Sequence, residues 1–140
     1  EASIVNLKGI LTQTIAYYKE LTDAKYIEVL SQLEDVEFTI IESRAELLFS
    51  NLLSNAIKYS MPHTTIRITL TQEYFLIEDE GVGIEEEKLQ DIFEIYKRES
   101  NIAGGFGVGL SIVKEICDAY QISVEVDSKP EVGSRFKLLF

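Results

Sequence analysis

The chain has 140 residues, 46% hydrophobic and 26% charged, with a formal net charge of −11. That length suits one domain of ~100 to 200 residues, the composition excludes a disordered or collagen-like chain, and the negative charge opposes nucleic acid, whose phosphates are gripped by Lys and Arg. One cysteine, Cys117, precludes an internal disulfide, and one histidine, His63, precludes a histidine-rich metal site; no apolar run approaches the ~18 residues that span a bilayer, and no signal-like leader opens the chain. The expectation is a single cytoplasmic domain, residues 1–140, with no direct membrane contact.

Apolar Leu7, Ile10, Leu11, Ala16, Tyr17, Tyr18 and Leu21 recur at helical spacing after Asn6, predicting a capped first helix from Asn6 to about Leu21. Tyr26–Leu30 and Val36–Ile41 read as strands joined, hairpin-like, through the polar run Ser31–Asp35. Ser43-Arg44-Ala45-Glu46 has the capping-box pattern. It predicts a second helix that ends near Tyr59, ahead of Pro62. Ile66, Ile68 and Leu70 alternate with polar residues as a half-buried strand, and Tyr74–Asp79 reads as a more fully buried one after a turn at Gln72-Glu73. Residues 85–91 read as a short acidic helix and 92–108 as a long loop, of a length usually reserved for functional lids. A third helix, Val108–Tyr120, and two strands, 121–127 and 134–140, complete the chain. Connections this short favour antiparallel pairing, so the expected fold is α+β: a two-layer sandwich with a mixed, mostly antiparallel sheet covered on one face by three helices.

Three segments carry candidate chemistry. At about 100 degrees per residue, Asn51, Asn55 and Lys58 share an arc of roughly 60 degrees beside a broad apolar face of Leu48, Phe49, Leu52, Leu53, Ala56 and Ile57. Asparagines one turn apart oppose helix propensity; the stripe is either a solvated face or a source of amide oxygens for a hard cation, with Lys58 beside phosphate. Asp79-Glu80-Gly81-Val82-Gly83-Ile84 follows a buried strand. It is either an ordinary acidic glycine turn or a carboxylate that accepts from an exocyclic amine, with glycines admitting a flat ring. On so acidic a chain an anion site must be made locally positive, and Gly104-Gly105-Phe106-Gly107-Val108-Gly109 meets that need by aiming backbone N–H groups and a helix N-terminus at one point. The spacing fits neither the dinucleotide fingerprint nor a P-loop.

In order and content these segments resemble the ATP-binding catalytic domain of bacterial sensor histidine kinases, in the superfamily of gyrase-type topoisomerases, heat-shock chaperones and mismatch-repair ATPases. NLLSNAIKYS at 51–60 resembles the N box, DEGVGI at 79–84 the first glycine box and IFEIYKR at 92–98 the F box. GGFGVGLSIVK at 104–114 resembles the second glycine box, and EVGSRF at 131–136 the last. The resemblance implies a Bergerat-type fold and the cofactors ATP and Mg²⁺. It implies Asn55 as metal ligand, Asn51 in support of metal and phosphate, and Lys58 and Tyr59 near the phosphates. Asp79 is implied to read the adenine amine beside Gly81, Gly83 and Ile84, with Ser134 where the family commonly has threonine. Phe93 and Tyr96 are implied to anchor an ATP lid at 92–108, Arg98 to approach the γ-phosphate, and Gly105, Gly107, Val108, Gly109 and Leu110 to shape the phosphate loop.

The same resemblance implies transfer of the γ-phosphoryl group to a histidine on a separate dimerisation domain, with a response regulator downstream and Asn51, Lys58 and Arg98 as catalytic residues. The isolated domain is expected to be monomeric and the full-length protein a homodimer. Glu80 and Tyr96 depart from a common asparagine and phenylalanine. The family's phosphoacceptor histidine, followed by an acidic residue, is not found: His63 follows Pro62 and precedes Thr64. Hydrolysing relatives place a glutamate where Asn51 stands, and an amide cannot take a proton from water. Two other functions are compatible with the boxes, a binding-only nucleotide sensor and a protein-serine kinase of the anti-sigma type. Cys117 reads as a structural thiol on the apolar face of the third helix.

Overall fold

A computed structural model of the protein describes residues 1–89, 92 and 108–140. The elements run β1 (Ser3–Asn6), α1 (Leu7–Tyr17), α2 (Lys19–Ala24), β2 (Glu28–Leu33), β3 (Glu37–Ile40), α3 (Glu42–Tyr59), β4 (Thr65–Leu70), β5 (Tyr74–Asp79), α4 (Val108–Ala119), β6 (Ser123–Lys129) and β7 (Gly133–Leu139). Five strands form a mixed sheet in the order β2-β4-β5-β7-β6, and β1 pairs with β3 in a separate two-stranded ribbon. Among the described residues, β2 and β4 pair parallel and the other neighbours in the larger sheet antiparallel. The fold is the expected α+β sandwich.

Strand alternation explains the packing. Ile66, Ile68 and Leu70 on β4, Phe75 and Ile77 on β5, and Phe136 and Leu138 on β7 are buried and join one core with α1, α3 and α4. From α3 the core takes Leu48, Phe49, Leu52, Leu53, Ala56 and Ile57, the full apolar face expected of that helix. The opposite face carries a charged cross-strand row, with Arg67 opposite Glu78 and Glu78 opposite Arg135, which in turn faces Asp127. Arg135 Nε lies 3.5 Å from Glu78 Oε1.

Several local expectations are corrected. Tyr26–Leu30 and Val36–Ile41 do not form a hairpin: β2 pairs with β4 and β3 with β1. A polar linker between two β-rich runs says nothing about which neighbour each will choose. Ser43 makes no cap, because the helix begins two residues earlier, with Ile41 at its N-cap position and no side-chain cap bond. The first helix is capped by Asn6, whose Oδ1 accepts the Gly9 N–H at 3.2 Å, but it breaks at Tyr18 into α1 and α2. Of the two tyrosines counted in its apolar spacing, Tyr18 packs against the core and Tyr17 is exposed. Finally, of the acidic helix expected at 85–91 the described residues form a 3-10 turn, Glu86–Lys88, and residues 90–91 lie outside the described residues.

Candidate nucleotide site

The inward faces of three strands change from apolar to polar at the same level. On β5 the row runs Phe75, Ile77, Asp79; on β7, Leu138, Phe136, Ser134; on β6, Val124, Val126, Ser128. Asp79 lies opposite Ser134 and Ser134 opposite Ser128. The Ser134 N–H donates to Asp79 Oδ1 at 3.2 Å. Ser128 Oγ accepts the Ile84 N–H at 2.8 Å, donates to the Gly133 carbonyl at 3.0 Å and lies 2.8 Å from Ser134 Oγ. With the Ser128 proton committed to Gly133, Ser134 is the donor in the serine pair. Burial pushes the Asp79 carboxyl up to about 6, against the lowering effect of the Ser134 and Gly81 backbone N–H groups.

The turn after β5 is closed against the end of α3. The Val82 N–H donates to the Tyr59 carbonyl at 3.1 Å, the Met61 N–H to the Glu80 carbonyl at 3.2 Å, and Ser60 bridges to Gly81. A Cβ on Gly81 would strike the Tyr59 carbonyl, and Gly83 has φ 71 with the Lys129 carbonyl where a side chain would start. Both glycines are required by close approach of backbone to backbone. Ile84 is buried in the core.

On α3, Asn51 and Asn55 are half-buried and Lys58 is exposed. Asn51 Nδ2 donates to the Leu47 carbonyl at 2.7 Å, so its Oδ1 is the group left to face a neighbour. That neighbour is Gly109: a Cβ there would sit 2.6 Å from Asn51 Oδ1, and the glycine lets the first turn of α4 close on α3. Asn55 makes no side-chain hydrogen bond, and Lys58 no ion pair, among the described residues; the Lys58 amine lies 5.5 Å from the centroid of the Tyr59 ring. Leu110 is buried, leaving its first-turn N–H as the group it offers. The backbone of Val108 opens α4. Phe93, Tyr96, Arg98, Gly105, Gly107 and nearly all of the expected lid lie outside the described residues.

The structure thus assembles two groups of the expected residues. One joins Asp79, Gly81, Gly83, Ile84 and Ser134, and the other joins Asn51 to Gly109, with Tyr59 linking the helix to the turn. Ser128 escaped sequence reasoning. A serine before a turn is common, and only its register with Ser134 makes it part of the network.

The described residues thus set a polar strand-end network, Asp79, Ser134 and Ser128, in an α+β sandwich whose helix α3 carries two amides and an amine. Residues 40–140 match the family described as histidine kinase-, DNA gyrase B- and HSP90-like ATPases, and the chain belongs to that family. It is 40% identical over 105 residues to the sensor histidine kinase YkoH of Bacillus subtilis, covering 71% of this chain and 23% of that protein. It is 29% identical over 140 residues to the heme sensor protein HssS of Staphylococcus saprophyticus, covering 97% and 30% respectively. The chain therefore spans a third or less of either relative. Among solved structures, a mycobacterial sensor histidine kinase, MprB, superposes with a TM-score of 0.87 at 21% identity, over all of this chain and 97% of that one, a likeness of fold. The chain is an ATPase domain of the histidine kinase type. No helix among the described residues is long and apolar enough to cross a membrane.

Proposed function

We propose that this domain binds Mg-ATP and delivers the γ-phosphoryl group to a histidine on a separate dimerisation domain, from which a response regulator draws it. The observation that carries the reading is Asp79, a carboxylate at a strand end, held by the Ser134 N–H beside a turn whose glycines leave room only for backbone. An ionised carboxylate there accepts from the exocyclic amine of adenine. Asn55 and Asn51 offer amide oxygens and Lys58 an amine without an ion pair among the described residues. These are the groups that would meet metal and phosphates.

The donor set fits magnesium. Among the described residues no three His, Cys, Asp or Glu side chains cluster as a metal site; Mg²⁺ takes few protein oxygens, completing its shell with phosphates and waters. When bound, it neutralises charge on the transferring phosphoryl group. Asn55 would hold it with Asn51 in support, Lys58 and Arg98 would add positive charge, and Gly105, Gly107, Val108, Gly109 and Leu110 would line the phosphates with backbone N–H groups. Asn51 cannot act as a base toward water, which favours transfer over hydrolysis.

The test supplies the protein with ATP labelled at the γ position and the histidine-bearing dimerisation domain in trans. The expected product is acid-labile, base-stable label on that domain. Acid-stable label would identify a serine kinase instead, and steady binding without transfer would identify a nucleotide sensor.

A further inference from the structure

We infer that Lys25 is a positioning residue for the phosphate end of the site, an assignment that rests on the Mg-ATP reading above. A helix leaves its last four carbonyls without intrahelical donors, and the end of α3 shows where they go. The Ala56 carbonyl keeps the Ser60 N–H at 3.0 Å and adds the Ser60 hydroxyl at 2.7 Å. The Tyr59 carbonyl takes the Val82 N–H at 3.1 Å from the glycine turn. The remaining three acceptors converge on one ammonium: Lys25 Nζ donates to the carbonyls of Ile57 at 2.8 Å, Ser60 at 2.9 Å and Lys58 at 3.3 Å. Three donors meet three acceptors, and the positive charge sits where the helix dipole is negative.

Lys25 is itself fixed. Its carbonyl accepts the His63 N–H at 3.1 Å. The next residue, Tyr26, has φ 59 and its ring stacks on His63, itself at φ 66, with centroids 4.8 Å apart and planes 4° from parallel. Left-handed backbone is uncommon for side-chain-bearing residues, and two such residues lock together across this turn. The end of α3, which carries Asn55, Lys58 and Tyr59, is therefore gripped from one side by Lys25 and from the other by Val82. The adenine end has separate support, since Asp79 is held by Ser134 on β7. Releasing Lys25 loosens the end of α3 directly and reaches the glycine turn only through the Val82–Tyr59 bond, while the Ser134 hold on Asp79 stays.

The experiment compares Mg-ATP and AMP affinities by calorimetry for the wild-type chain, Lys25→Met and Lys25→Arg, at a temperature where circular dichroism shows each folded. Lys25→Met weakens Mg-ATP by about three- to tenfold, the range of effects transmitted through packed networks, and AMP by less than twofold; Lys25→Arg recovers most of the loss. Exchange of the Val82 amide, read without nucleotide, accelerates in Lys25→Met. Equal losses for both nucleotides, or Mg-ATP affinity within twofold of wild type, overturn the inference while leaving the ATP reading intact. A folded wild-type chain that binds no Mg-ATP overturns both. Should Lys25→Met not fold, Lys25→Gln takes its place under the same criteria.

Discussion

The two ends of the candidate site are built on different principles. The adenine end is distributed over β5, β6, β7 and a glycine turn, and its groups are tied together by the Ser134, Ser128 and Ile84 hydrogen bonds. The phosphate end is a stripe on one helix, in which Asn55 and Lys58 make no side-chain hydrogen bond or ion pair among the described residues. A sheet end recognises a rigid ring because its own groups are already committed in position. A helix stripe meets metal and phosphates with groups kept available.

Asp79→Asn breaks the comparison most sharply. The Ser134 N–H keeps an acceptor, but the charge proposed to receive the adenine amine is gone; calorimetry should show Mg-ATP affinity falling by about 100-fold or more, the loss of a charge-assisted bond. The free protein should respond in the opposite direction. The folded carboxyl is raised from 3.8 to about 6, so its favourable contribution is complete below pH 3.8 and is lost as pH rises through 6. Relief of that cost, up to about 3 kcal/mol, predicts that Asp79→Asn melts at a temperature no lower than wild type at pH 7. A lower melting temperature would contradict the burial-driven shift.

Asn55→Ala probes the other end. Affinity for ATP should fall by about 10- to 30-fold with Mg²⁺ present, as for lost metal-site partners, and change little in EDTA. Equal losses in both conditions would remove Asn55 from the metal.

Acidity separates the ends without mutation. Between pH 7 and 5 the Asp79 carboxylate becomes mostly neutral, and ATP affinity should fall by roughly tenfold for a group titrating near 6, an effect absent from Asp79→Asn if enough binding remains to measure. Ser134→Ala should be the mildest change, costing about 1 kcal/mol in binding or stability for one hydroxyl, because the N–H that holds Asp79 belongs to the backbone.

The same contrast governs what the sequence makes legible. Helical spacing alone places Asn51, Asn55 and Lys58 on one stripe, and the apolar face beside them is buried in full. Asp79 and Ser134 are 55 residues apart, and no local pattern connects them; their association came from the resemblance of the boxes, while Ser128 had no signal at all. The mistaken β2–β3 hairpin has the same origin. Pairing of β2 with β4 and β1 with β3 is settled by burial of α3 against the sheet, a nonlocal term that propensity does not contain. The unused Ser43 cap shows the reverse case, a local motif overridden when the chain turned helical two residues earlier, with Ile41 at the N-cap.

Because β2 lies parallel to β4, the chain between them must cross over, and α3 is the helix in that crossing. The segment proposed to supply amides and an amine to the ligand is also the one whose docking lets the sheet gain its edge. Pairings of such sequence separation form late and as a unit. Binding energy drawn from α3 and the β5–β7 end together is thus available only to the completed topology, so nucleotide should slow unfolding and protect the whole sheet in proportion to ligand concentration. In that sense the substrate serves as a final staple on a knitted fabric, fastening its two most distant threads.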